Sequence, residues 1–341
     1  MLRLLFIFTL STLFIAPDAT AAPKNMKWIP EGEFLMGTNE QKSLLNERPA
    51  NKIKLKGFWM DEFVVSNSDF GQFVKSKKYK TTAERPIDWE ELKKQVPPGT
   101  EKPADDVLVP GSLVFVPPNG PVDLGELGNW WQWTPGASWD HPQGPGSSIA
   151  DKSNYPVTQV SWDDANEYCK WANKRLPTEA EWEFASRGGS KANTRFWWGE
   201  EFRPKGKWMA NTFTGEFPYK NTAEDGFERT SPVNAFEPNG YGLYDMAGNV
   251  WQWTADFYRE DTHQLLADEL KTSGASCHTD PTGPKGTFNP ARPVVESPER
   301  VIKGGSFLCN VTYCESYRPT ARRGTPPDTS SEHVGFRCAK D

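Results

Sequence analysis

Gly304-Gly305-Ser306-Phe307-Leu308-Cys309-Asn310-Val311-Thr312-Tyr313-Cys314, followed by Glu315-Ser316-Tyr317-Arg318, is the stretch on which the reading of this chain turns. Four residues separate its two cysteines, in a setting of glycine, hydroxyl and aromatic side chains. A thiolate is both a nucleophile and a soft ligand, so such a pair can form a disulfide, exchange with another thiol, or hold a soft metal such as Cu(I). Spacing alone leaves all three open.

The rest of the chain sets the frame. Its 341 residues suit one large domain or two small ones. A net charge of −6 argues against a nucleic-acid surface. With 29 Pro, 28 Gly and 15 Trp, long helices and strands are disfavoured and aromatic clusters are expected, giving a loop-rich but folded globule. At the N-terminus, Arg3, an apolar run from Leu4 to Ile15 and the Ala19-Thr20-Ala21 cleavage pattern predict a secretory signal peptide over residues 1–21. That run is too short for a bilayer, which needs roughly 20 apolar residues. The mature protein is therefore expected to be periplasmic or secreted and free of the membrane, in a compartment where disulfides persist. Five cysteines, Cys169, Cys277, Cys309, Cys314 and Cys338, are an odd number, so at least one thiol stays unpaired or reactive.

Taken in order, Met26 to Gly37 reads as strand, turn, strand around Pro30-Glu31-Gly32, and Phe58 to Val65 as a further strand. Ser66 with Asp69, Ser161 with Asp164, and Thr178 with Glu181 are capping signatures that open three helices. On the second of these, Ala165, Tyr168, Cys169 and Ala172 share one face, which turns Cys169 inward. Gly188-Gly189 stops the third. Arg85 to Gly128 is Pro-rich, yet Leu113 to Val116 is strand-like and Trp130-Trp131-Gln132-Trp133 follows, so we read an ordered excursion rather than a linker. Asn211-Thr212 and Asn221 to Phe227 are oxygen-rich loops, which by composition suit either an ordinary polar turn or Ca2+.

The cysteine stretch resembles the C-terminal catalytic segment of the formylglycine-generating enzymes, the sulfatase-modifying oxidases. Lys303-Gly304-Gly305-Ser306-Phe307-Leu308-Cys309, Tyr313-Cys314, Tyr317-Arg318, Ala321-Arg322 and Gly335-Phe336-Arg337 match that pattern in order, with Asn310 where the family has histidine. Arg175-Leu176-Pro177-Thr178-Glu179-Ala180-Glu181-Trp182-Glu183 is similar to a motif of the wider superfamily. The likeness runs from about Met26 to Ala339. It implies one domain over 26–339, α+β with little regular secondary structure, similar to the C-type-lectin-like fold of that superfamily.

The same resemblance implies chemistry and site residues. It implies an oxidase that uses O2 and Cu(I) to convert a cysteine in a sulfatase Cys-x-Pro-x-Arg segment to formylglycine, acting as a monomer on the unfolded polypeptide. Cys309 and Cys314 would hold copper, Ser306 and Trp251 would line the oxygen site, and Tyr313, Arg318 and Arg322 would shape the pocket and peptide groove. A disulfide would join Cys169 to Cys338, leaving Cys277 without a role. Asn211, Thr212, Asp225 and Phe227 match one family calcium site, and Asp245, Gly248, Val250 and Gln252 match a second. Gln252 replaces a bidentate carboxylate there, so that second site is expected to be weak or empty.

Two rivals stand beside this reading. A non-haem iron oxidase joining sulfur to a histidine derivative needs clustered histidines, whereas His141, His263, His278 and His333 are scattered. The other is a non-catalytic binding module in which Cys309 and Cys314 form only a disulfide.

Overall fold

Met26–Ile29 pairs antiparallel with Phe58–Asp61, whose other edge takes Ala339–Lys340, so strands from both ends of the chain share one sheet. The computed structural model describes residues 22–190, 192–292 and 297–341, and the signal peptide expected over 1–21 lies outside them. A second small sheet orders His278–Thr279, Asn51–Leu55 and Gly32–Met36. Its middle strand shows the period-2 pattern of a half-buried strand: Ile53 and Leu55 are buried while Lys52 and Lys54 face solvent.

The sheet that positions the site has four strands in the order Arg322–Thr325, Arg300–Lys303, Trp251–Phe257 and Val334–Phe336, the last pair parallel. Arg323 lies opposite Ile302 and Ile302 opposite Trp253, while Arg322 lies opposite Lys303 and Lys303 opposite Gln252. Because successive side chains alternate across a sheet, Arg323, Ile302, Trp253 and Trp251 share one face and Arg322, Lys303 and Gln252 the other. The first face packs into the largest apolar cluster, together with Cys309, Cys314, Tyr317, Val334 and Phe336. The second meets the Glu179–Ser186 helix.

The capping signatures act as read. Ser161 Oγ accepts from Asp164 N at 3.1 Å, and the Asp164 carboxylate accepts from Ser161 N at 2.9 Å, opening Trp162–Trp171. Thr178 and Glu181 exchange the same two bonds at the start of Glu179–Ser186. Ser66 caps Asn67–Lys77, and Gly188 and Gly189, both at positive φ, follow the end of the third helix. Cys169, buried on the inner face of its helix, is joined by a disulfide to Cys338, which ties that helix to the C-terminal strand. With 169 residues of sequence separation, chain-entropy arguments put its contribution at about 4 to 5 kcal/mol.

Two details differ from or sharpen the sequence reading. The strand expected to reach Val65 stops at Asp61. There the Asp61 carboxylate accepts from Cys338 N at 2.9 Å and from Lys174 Nζ at 2.5 Å, and the chain turns toward the Ser66 cap. The Pro-rich excursion is ordered by a hairpin of Gly111–Phe115 with Trp131–Pro135. Phe115 and Trp130 then join Phe213, Phe217, Phe307 and Leu308 in a second apolar cluster beside the cysteine loop.

Candidate active site

Cys309 and Cys314 are brought together by a loop that folds back on itself. Gly305 makes this possible: at φ +70° it lies so close to the next segment that a Cβ would meet the Ser316 carbonyl carbon and Tyr317 N at 2.8 Å. Cys309 N donates to Ser306 O at 2.9 Å and Cys314 N to Asn310 O at 2.8 Å, closing two turns around the sulfurs. The two Sγ atoms stand 2.7 Å apart, hydrogen-bonded and without a disulfide between them. Cys309 is fully buried and Cys314 is 8% exposed, so approach to the pair is from the Cys314 side, beside exposed Val311 and half-buried Tyr313.

The surroundings separate the two thiols electrostatically. Burial pushes Cys309 well up. A hydrogen bond from Cys309 pulls Cys314 down despite its burial, aided by Arg323 and by Ser316. One proton between two sulfurs is the arrangement this favours. Arg323, which the sequence reading missed, faces this pair: its guanidinium lies 5.8 Å from the centre of the Trp251 ring and within electrostatic reach of Tyr313 and both sulfurs. Among the described residues its charge is answered by Cys314, Cys309 and Tyr313 rather than by a carboxylate. No signal in the sequence singled it out, because alternation from Arg322, expected at the pocket, would have turned Arg323 away from it.

The remaining expected residues divide into those at the dithiol and those elsewhere. Ser306 is buried, offers its backbone N–H to Cys309 Sγ at 3.5 Å and places its hydroxyl 3.3 Å from His333 Nδ1. His333, also missed, packs edge-on against Trp131 at 4.6 Å, and burial together with Arg323 holds its ring down to about 3, hence neutral. Trp251 is buried in the cluster with both cysteines. Tyr313 stacks on Phe217 at 4.5 Å. Asn310 makes four hydrogen bonds, to the Phe213 and Gly215 carbonyls and from Thr312 N and Oγ1, so its amide holds the loop in shape.

Arg318 and Arg322, expected to shape the pocket and groove, are each paired with a carboxylate, and Arg318 also lines a small cavity with Glu40 and Arg195. Arg318 grips the Glu47 carboxylate at 2.5 and 2.7 Å and also reaches Ser43 and Thr320. Arg322 forks onto Glu179 at 2.7 and 2.8 Å. Both are buried, each with a carboxylate that meets its charge inside the fold.

The two oxygen-rich loops also part ways. In the first, the Asp225 carboxylate accepts from Thr212 N at 2.7 Å and Phe227 N at 3.1 Å, and burial pushes it up to about 6. Beside it, Asn211 Oδ1 is buried without a partner while its Nδ2 donates to Arg229 O at 2.8 Å. An orphaned amide oxygen near a poorly compensated carboxylate fits a hard cation. In the second loop, of the expected set Asp245, Gly248, Val250 and Gln252, Asp245 Oδ2 is buried without a partner, but Gln252 presents its amide nitrogen, not an oxygen, to the Asp245 carbonyl at 2.6 Å, so Gln252 does not fit as a cation ligand.

Comparison with known proteins agrees with this architecture. A family model described as the sulfatase-modifying factor enzyme 1-like domain matches residues 13–341, and the chain belongs to that family. It is 44% identical over 322 residues to a protein named formylglycine-generating enzyme from Thermomonospora curvata, covering 93% of this chain and 94% of that one. It is also 38% identical over 318 residues, 92% of this chain and 85% of the other, to the mouse protein named inactive C-alpha-formylglycine-generating enzyme 2. Among solved structures, PvdO from Pseudomonas aeruginosa superposes with a TM-score of 0.57 at 23% identity, covering 93% and 94% of the two chains, a likeness of fold alone.

Proposed function

We propose that this protein is an exported oxidase that converts a cysteine in a Cys-x-Pro-x-Arg segment of a sulfatase to formylglycine, with O2 as oxidant. Relatives at this level of identity carry both active and inactive names, so family membership alone does not choose. The observation that carries the reading is the buried dithiol, free of a disulfide, between Ser306, Trp251 and Arg323. The donor chemistry fits Cu(I), which Cys309 and Cys314 would hold and which would supply the one-electron steps that dioxygen requires.

The chain's own residues do the rest. Cys314, the more open and more acidic of the two, meets the incoming substrate side chain, while buried Cys309 anchors the loop. Arg323 places a permanent positive charge at a site that gathers sulfur anions. Trp251 excludes water from one side, and neutral His333 orients the Ser306 hydroxyl. In the overall change the substrate Cβ gives up two electrons and its sulfur leaves as sulfide. Dioxygen takes up four, so an external thiol reductant supplies the other two. Asn211, Thr212, Asp225 and Phe227 would hold one structural Ca2+.

The test is mass spectrometry of a Cys-x-Pro-x-Arg peptide incubated with purified protein, Cu(I), a thiol reductant and O2. A product lighter by about 18 Da at the cysteine, trapped by an aldehyde-reactive hydrazide, is the expected result. An unchanged peptide, with copper bound or not, would leave the non-catalytic binding module.

A further inference from the structure

The loop from Asp245 to Trp251 brings Trp251 against the dithiol, and the side chain that closes it is Gln252. Gln252 is fully buried, and both ends of its amide are engaged. Its Oε1 accepts from Trp182 Nε1 at 2.9 Å and from Arg337 Nε at 2.7 Å. Both of these groups are obligate donors: an indole N–H and a guanidinium N–H accept nothing, so only the oxygen of the amide can face them. That orientation leaves Nε2, also a donor, pointing at the Asp245 carbonyl at 2.6 Å.

Arg337 cannot turn aside to relieve this. It is buried, and its other nitrogens donate to the carbonyls of Asp61 at 3.0 Å and Tyr244 at 2.5 Å. Trp182 is likewise buried, on the helix packed against this face. A carboxylate at position 252 could accept from both donors with one oxygen and offer the other to a cation. An amide in the same place offers two N–H groups, and a cation beside them would be repelled rather than bound. Of the Asp245 carboxylate, Oδ1 accepts from Asn249 Nδ2 at 3.1 Å and Oδ2 is buried without a partner, so Asp245 could supply at most one free oxygen where Gln252 turns N–H groups inward.

We propose that the Asp245–Gln252 loop of this protein is clasped by the Gln252 amide and Arg337 in place of a metal ion, so that Trp251 is held at the dithiol without a cation at this site. The clasp does not depend on the copper chemistry. Where it touches the calcium reading at Asn211 and Asp225, the experiment separates the two.

The probe is calcium alone, titrated calorimetrically into the full mature chain after chelation, with thermal unfolding as a second readout. Wild type should bind one ion, Asp225→Ala none, and Asp225→Ala with Gln252→Glu one again, with a melting temperature that calcium now raises. An ion bound by Asp225→Ala and lost on adding Asp245→Asn would overturn the clasp without any need for the glutamate variant. A folded Gln252→Glu protein that gains no ion would overturn it too. If wild type binds none and Gln252→Glu binds one, the clasp stands and the calcium assignment at Asp225 falls.

Discussion

Arg322 and Arg323 are neighbours on one strand, yet they meet opposite environments. Arg322 enters a face where carboxylates wait for it: Glu179 takes its fork, Lys303 lies 3.6 Å from Glu179 and 3.2 Å from Glu183, and Arg187 pairs with Glu183 at 2.9 Å. Burial alone would push Glu179 up, but Arg322 and Lys303 outweigh it and hold it down to about 2. Arg323 enters a face of aromatic rings and two thiols with no such partner among the described residues. A charge matched inside the fold specifies structure. A charge left without a carboxylate beside two sulfurs is available to chemistry.

The largest effect should fall on the sulfurs themselves. Cys309→Ser and Cys314→Ser are each expected to abolish turnover and tight Cu(I) binding while moving the denaturant midpoint little, because the thiols form no disulfide and serine is nearly isosteric. A loss of about 2 to 5 kcal/mol in either variant would instead identify a structural disulfide and move the dithiol to the structural side of the comparison.

The two arginines should then diverge. Arg322→Ala strands the Glu179 carboxylate and is expected to cost about 3 to 5 kcal/mol by urea unfolding. Arg323→Gln should cost under about 1 kcal/mol yet lower kcat/KM at least tenfold, about 1.4 kcal/mol of transition-state stabilisation. Equal destabilisation by both would erase the distinction between the faces.

The paired-charge face should also show in pH dependence. Asp256 lies on the same strand face as Gln252 and takes the Glu179 N–H, and burial, with the Glu179 charge next, pushes it up to about 7. A folded value above the ordinary 3.8 means that its neutral form is favoured in the fold. Its stabilising contribution is full below about 3.8 and is lost progressively as pH rises from there through about 7. Asp256→Asn should therefore flatten the fall in melting temperature between about pH 4 and 7, measured by calorimetry, and be near neutral only at about pH 3. The smallest effect is expected at Asn310. Asn310→His removes amide bonds to the Phe213 and Gly215 carbonyls and should cost about 1 kcal/mol without raising turnover, because Asn310 holds the loop.

Much of this was legible in the residues. The three helix starts were readable because a cap is a local event, in which a hydroxyl and a carboxylate three residues apart satisfy the first free N–H groups. The likeness around Lys303 to Cys338 carried the family and the α+β class, and the inward face of Cys169 followed from helical period alone. What the residues did not show shares a cause. Arg318 and Arg322 match the family pattern as letters, but what each guanidinium binds depends on Glu47 and Glu179, which lie 271 and 143 residues away.

Neighbours along the chain sufficed for the three capped helices, the strand pair around Pro30, the two cysteines and the odd thiol count. Only the tertiary structure decided that Arg323 and His333 belong to the dithiol, that Asn310 is a loop brace, and that Gln252 turns its nitrogen toward Asp245. Each of these is settled by which donors and acceptors arrive from distant segments. Gln252 shows it most directly: its amide has two possible orientations, and Trp182 and Arg337, 70 residues before it and 85 after, leave only one.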